Sequence, residues 1–254
     1  MKQGNTFWLI FSIILSSVIL SILLFYSLRM PSYSPAWKGR EIAYKYGCFN
    51  CHGFEGQGKI KNPTYRYDET PAWQGETAMM FILNEDELRE WILYGKPERL
   101  KNIDHGGVIK MPAYKGIIPE KELNYLIVYL KAVMGLIEID NDSAKIGHKI
   151  AKNSGCFGCH GPYGMGGMPN KNSFKGYIPG WDGKDFKELV KDESELREWI
   201  LEGNIKRLKN HPIAKIFIQK QIIKMPAYKE ILTEDEIEHI ISYIKWLRGE
   251  VKSH

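Results

Sequence analysis

From Phe7 to Leu28 the chain reads FWLIFSIILSSVILSILLFYSL, 22 residues without a charge. As a helix this run would rise about 33 Å, enough to cross the hydrocarbon core of a bilayer. Beyond Arg29 the pattern becomes amphipathic with the period of a helix. Ile237, Ile240, Ile241, Ile244 and Leu247 mark the last such stretch, and Thr233 with Glu236 forms a capping box ahead of it. Asn84 with Glu87, and Asp192 with Glu195, pair a cap residue with its reciprocal acid ahead of two further stretches. Lys38 to Tyr46 and Ala144 to Asn153 are short amphipathic stretches that run into Gly47 and Gly155, the residue type that closes helices in a left-handed conformation. No strand alternation is evident, so the expected class is all-α, with long loops between helices.

The pattern also repeats. An offset of 108 carries Gly39 to Gly147, Ala43 to Ala151, Pro71 to Pro179 and Trp73 to Trp181. It carries Glu87-Leu-Arg-Glu-Trp-Ile-Leu93 onto the identical Glu195 to Leu201, and Arg99-Leu-Lys-Asn102 onto Arg207 to Asn210. The second copy then gains six residues, because Lys110-Met-Pro-Ala-Tyr-Lys115 returns at Lys224 to Lys229, an offset of 114 that Tyr129 and Tyr243 also keep. A period this long is the size of a small domain and too long for a solenoid unit. The expected organisation is an anchor at 1–29, a leader from Met30 to Ala36, a domain at 37–135, a joint from Leu136 to Asp142 and a second domain at 143–251.

The apolar run is followed by Ser27-Leu28-Arg29-Met30-Pro31 and lacks a small-residue cleavage site, so it reads as an uncleaved membrane anchor. Lys2 before it and Arg29 after it give little orientation signal, though a six-residue tail suits an N-terminus on the inner side. The net charge of +5 falls to +3 once Lys2 and Arg29 are set aside, leaving 33 basic against 30 acidic residues. That balance argues against a nucleic-acid partner.

Chemistry concentrates in Cys48-Phe-Asn-Cys51-His52 and Cys156-Phe-Gly-Cys159-His160, which consume all four cysteines of the chain. In C-x-x-C-H the two thiols can each form a thioether to a haem vinyl group while the imidazole stands beneath the iron. A zinc site would need further Cys or His ligands, and a thioredoxin-like pair a strand and helix context; neither is visible. Two covalently bound haem c groups are therefore expected, on Cys48 and Cys51 and on Cys156 and Cys159, with His52 and His160 as iron ligands.

An N-terminal helix ending in C-x-x-C-H, a middle helix, a Met-Pro loop and a C-terminal helix bearing an aromatic together resemble class I cytochrome c, twice over. The resemblance covers nearly everything after the anchor. It implies that Gly39 meets Tyr129, and Gly147 meets Tyr243, where the first and last helices cross. It implies a methionine from the loop before the last helix as the sixth ligand, which points to Met111 and Met225 in KMPAYK. Met79, Met80, Met165 and Met168 compete without counterparts at the repeat offset, and His105 and His211 are rivals that would give bis-His iron. Trp73 and Trp181 are candidates to hydrogen-bond a haem propionate and Arg99 and Arg207 to neutralise one, whereas Trp91 and Trp199 read as plain core. Pro63 and Pro169 lie where the family uses a backbone carbonyl to orient the proximal imidazole.

His/Met coordination raises the reduction potential relative to bis-His and leaves no open position for a substrate. The expectation is an electron-transfer chain, not a catalytic one. It would be held at the outer face of a bacterial inner membrane by a single pass, with its haem domains facing the periplasm. It would serve a quinol-oxidising bc-type complex or a terminal oxidase and meet membrane respiratory subunits and extracytoplasmic redox proteins. A free membrane-tethered carrier and a dihaem peroxidase are the alternatives.

Overall fold

The computed structural model describes residues 3–74, 78 and 80–250. Helix α1 runs Gln3–Arg29. Its window Phe7–Arg29 has a mean hydropathy of 2.6 and no buried residue, so it is long and apolar enough to cross a membrane.

Two helix pairs organise the remainder. In the N-terminal half α2 (Pro35–Lys45) crosses α5 (Glu120–Met134), with α3 (Cys48–His52) and α4 (Glu85–Tyr94) between them in sequence. In the C-terminal half α6 (Asp142–Asn153) crosses α12 (Glu234–Leu247). Between them lie α7 (Phe157–His160), α8 (Lys184–Leu189), α9 (Glu193–Glu202), α10 (Lys206–Asn210) and α11 (Pro212–Lys220).

The caps act as the sequence indicated. Asn84 and Asp192 side chains accept from the Glu87 and Glu195 amides, and Thr233 with Glu236 closes a reciprocal box. Helix α2 starts earlier than its apolar pattern, because Ser34 caps it and Pro35 occupies its first turn. The C-terminal half also departs from pure helix: Gly167–Pro169 pairs antiparallel with Tyr177–Pro179 as a short hairpin. Its strands are three residues each, too short to leave an alternating pattern. The six extra residues of the second copy go into α11, which replaces a loop of the first copy.

Each pair has its own core. Leu88, Leu123, Leu126 and Tyr129 are almost fully buried in one, and Ile237, Ile240, Ile241, Tyr243 and Ile244 in the other. The crossings are close. A Cβ on Gly39 would lie 2.0 Å from the Tyr125 carbonyl oxygen and 2.6 Å from Tyr129 Cβ; one on Gly147 would lie 1.9 Å from the His239 carbonyl oxygen and 2.9 Å from Tyr243 Cβ. The expected Gly-Tyr contacts are thus present in both halves, and at each the obstacle is backbone, which cannot swing aside.

The leader does not simply pass from α1 to the N-terminal half. Arg29 Nε donates to the Phe174 carbonyl at 2.8 Å, the Ser32 amide to Asp185 at 2.8 Å, and Ser34 Oγ to the Met165 carbonyl at 2.7 Å. Tyr33 stacks on Trp37 at 4.9 Å and meets Tyr177 edge-on at 4.9 Å. Buried Asp185 also accepts from Lys175 at 2.5 Å and from the Tyr177 hydroxyl at 2.6 Å. The stretch after α1 is therefore seated on the C-terminal half.

Substituting Gly147 with Ala places a methyl group against the α12 backbone, and should cost about 3 kcal/mol by forcing the crossing apart. Thermal unfolding followed by far-ultraviolet circular dichroism measures it, and an unchanged midpoint would contradict the packing described.

Candidate haem-binding cavities

Each half encloses an apolar cavity. The first, about 240 Å³, is lined by Cys48, Cys51, His52, Trp73 and Met111. The second, about 610 Å³, is lined by Cys156, Cys159, His160, Trp181 and Met225. The fold thus brings each cysteine pair, its histidine and the KMPAYK methionine around one space.

The histidines are oriented by backbone. His52 Nδ1 lies 2.9 Å from the Pro71 carbonyl oxygen, and His160 Nδ1 lies 2.9 Å from that of Pro179. A carbonyl only accepts, so Nδ1 carries the proton and Nε2 keeps its lone pair. Burial lowers the His52 pKa and pushes that of His160 down to about 4, leaving both rings neutral and able to ligate at neutral pH. Trp73 and Trp181 pack against these imidazoles, with ring centroids 4.9 and 5.0 Å apart. Pro63 and Pro169, the expected carbonyl acceptors, are replaced in this role by Pro71 and Pro179. The latter pair keeps the 108-residue offset, whereas the former does not.

No disulfide joins the four cysteines. Burial pushes the Cys48 thiol up to about 11 and raises that of Cys156, the opposite of the shift that activates a thiol-disulfide exchange pair. Among the described residues no group of three or more His, Cys, Asp or Glu side chains is placed to hold a metal ion.

Opposite the histidines, the methionine loops are held by residues the sequence reading passed over. Asn62 is clamped to Ile109, donating to its carbonyl at 2.9 Å and accepting from its amide at 2.7 Å; Asn170 does the same with Ile223 at 2.9 and 3.0 Å. Both asparagines are buried, and each grips the residue two before the methionine. Gly95 and Gly203 close α4 and α9 at φ +73° and +63°; a Cβ there would lie 2.5 Å from the Met111 carbonyl oxygen and 2.3 Å from that of Met225. Tyr114 and Tyr228 hydroxyls donate to the Tyr46 and Ser154 carbonyls at the ends of the first helices. The 108-residue offset relating Asn62 to Asn170 and Gly95 to Gly203 was the available signal.

The rivals sort differently. Met80 is exposed, Met165 and Met168 line neither cavity, and Met79 lies outside the described residues. His211 is occupied as the cap of α11, accepting from the Ala214 amide. His105 lines the first cavity with its Nε2 buried and without a partner among the described residues.

The arginines do not stand free to meet a propionate. Arg99 bonds Glu87 at 2.7 Å and is absent from the lining of the first cavity; Arg207 bonds Glu195 at 2.6 Å and donates to the Leu189 carbonyl, though it borders the second. Trp91 and Trp199 pack against the two cores, as expected, and also line the cavities. The Trp91 indole N–H donates to the Phe81 carbonyl at 3.1 Å, whereas that of Trp199 is buried without a partner among the described residues. Thr70 Oγ1, in the first cavity, likewise has none among them. Apolar cavities with a neutral imidazole, a thioether and two thiols on their walls, and with buried donors left over for carboxylates, fit a covalently attached haem.

The guanidinium of Arg207 holds the Glu195 carboxyl down at about 2. Because the folded value lies below the ordinary 4.5, the pair stabilises fully above about pH 4.5 and fades as pH falls through about 2. Glu195→Gln should therefore cost about 1 kcal/mol at pH 7, with the difference shrinking towards pH 2, in denaturant titrations at the two pH values.

Residues 144–248 match the family profile described as Cytochrome c. No curated protein and no solved structure matches the chain. The matched stretch contains α6, the second C-x-x-C-H and α12, together with Met225 and the glycine crossing between those helices. The chain accordingly contains a cytochrome c domain over residues 144–248, which implies a covalently bound haem c and haem-based electron transfer.

Proposed function

We propose that the chain is a membrane-anchored dihaem cytochrome c, with cytochrome c domains at 37–135 and 143–251, that passes single electrons in a respiratory chain. One observation carries this reading. Both cavities combine a cysteine pair, a histidine whose Nδ1 is fixed by a proline carbonyl, and a methionine on a clamped loop. Bound haem supplies a one-electron couple of iron. The residues that would hold each haem are Cys48 and Cys51 or Cys156 and Cys159, as thioethers, and His52 or His160, through an Nε2 lone pair. Met111 and Met225 would be the further iron ligands, on loops that Asn62, Asn170, Gly95 and Gly203 keep from shifting. Ligands held this firmly would keep the reorganisation accompanying electron gain and loss small.

Helix α1 supports placement at a bacterial inner membrane with the haem domains on the periplasmic side, where cysteine attachment of this kind occurs in the family resembled. Subunits of a quinol-oxidising bc-type complex or a terminal oxidase, and extracytoplasmic redox proteins, are then the partners. A methionine beside a histidine in both cavities disfavours the dihaem peroxidase reading, which requires one haem open to peroxide.

A pyridine haemochrome assay on the purified chain should give two haems per polypeptide; one haem would remove the N-terminal half from this proposal. Met225→His should lower one midpoint potential by on the order of 0.1 V and abolish one Met-to-iron absorption band while leaving the other. A high-spin, ligand-binding haem in the resting wild-type protein would overturn the electron-transfer reading.

A further inference from the structure

Helix α11 stands where the first half has only the loop Ile103–Ile109, and it is amphipathic. Ala214, Phe217 and Ile218 turn inward to line the second cavity. Ile216 on the helix and Ile222, two residues past its end, are 48 % and 66 % exposed, beside exposed Lys215, Lys220 and Lys224. Among the described residues none of these three lysines makes a salt bridge. The pair is an outward apolar face framed by unpaired cations.

Its position identifies what covers it. The Arg29 guanidinium lies over the Phe217 ring at 5.2 Å and the Phe25 ring at 5.7 Å. Phe174 stands between them, 6.4 Å from Phe25 and 5.2 Å from Phe217, and its carbonyl takes the Arg29 Nε hydrogen bond. Phe25 is three residues inside the end of the apolar run, a depth of about 4.5 Å along the helix. These contacts hold α11 level with the last turn of α1. A helix at that level, with apolar residues on its free side and lysines around them, matches an interfacial helix lying between headgroups and acyl chains.

We infer that α11 is a membrane-surface helix: Ile216 and Ile222 enter the outer leaflet around α1, and Lys215, Lys220 and Lys224 meet anionic phospholipid headgroups. This rests on the reading of α1 as a membrane span. It lays the C-terminal domain on the bilayer with the second cavity beside the lipid, while the N-terminal half has only the loop Ile103–Ile109 in the corresponding place.

The test uses full-length holoprotein reconstituted into vesicles of phosphatidylcholine and phosphatidylglycerol. Nitroxide labels are placed on Ile216→Cys, Ile222→Cys and, as reference, Val108→Cys, an exposed position of the corresponding loop in the first half. An unchanged haem spectrum verifies folding of each variant. Vesicle flotation comes first, and protein that fails to float overturns both the anchor reading and this inference. In floated protein the labels at 216 and 222 should collide with a water-soluble nickel chelate at least fivefold less than that at 108, and more with oxygen. Equal chelate access at all three sites overturns the inference alone. Shielding at 216 and 222 accompanied by spin-spin broadening between copies also overturns it, assigning the face to a second copy of the chain.

Discussion

Two peptide backbones pass so closely at Gly39 and Gly147 that neither position has space for a single methyl group, and the rest of each half is arranged around that crossing. At the crossing Tyr129 and Tyr243 are buried against the opposing helix, which sets the angle between first and last helices. The first helix of each half then delivers its cysteine pair to the cavity wall, because α3 begins directly after left-handed Gly47 and α7, with one residue between, after left-handed Gly155. A backbone-to-backbone approach is less tolerant than side-chain packing, since no rotamer change can relieve it. The two halves can diverge elsewhere while this element stays the same.

The opposite wall is built from turns. A buried asparagine amide grips the chain ahead of each methionine, a left-handed glycine abuts the methionine's own carbonyl, and a tyrosine hydroxyl ties the far side to the first helix. Three independent attachments on a loop of about six residues make it as well determined as a helix. The thioether sulfur lies on a rigid mount despite the absence of regular secondary structure.

What could be read without coordinates follows from this division. Helix caps and the C-x-x-C-H pairs depend on residues near in sequence and are legible directly, whereas the Gly-Tyr contacts are legible only through the resemblance to class I cytochrome c. The carbonyl partners of His52 and His160 were misplaced onto Pro63 and Pro169, because any residue can offer a carbonyl and side-chain identity carries little information about which does. The repeat offset favoured Pro71 and Pro179, and was the better guide. Arg99 and Arg207 were given to the haem because the acids that claim them, Glu87 and Glu195, lie twelve residues upstream and had already been assigned as cap partners. The seating of Ser32 and Ser34 on Asp185 and Met165 joins positions more than 130 residues apart, beyond the reach of any local pattern.

That last contact has a consequence for how the molecule is made. The residues just after the apolar helix emerge first from synthesis, yet their hydrogen-bond partners Met165, Phe174 and Asp185 belong to the second half. Until more than half of the chain has followed, the leader lacks these partners and can meet only its immediate neighbours in α2. The N-terminal half must therefore close its own core on an unfastened tether, and the stalk becomes rigid only once the later half has folded onto it. Contacts of such long sequence separation form late, after local helices and their immediate neighbours have condensed.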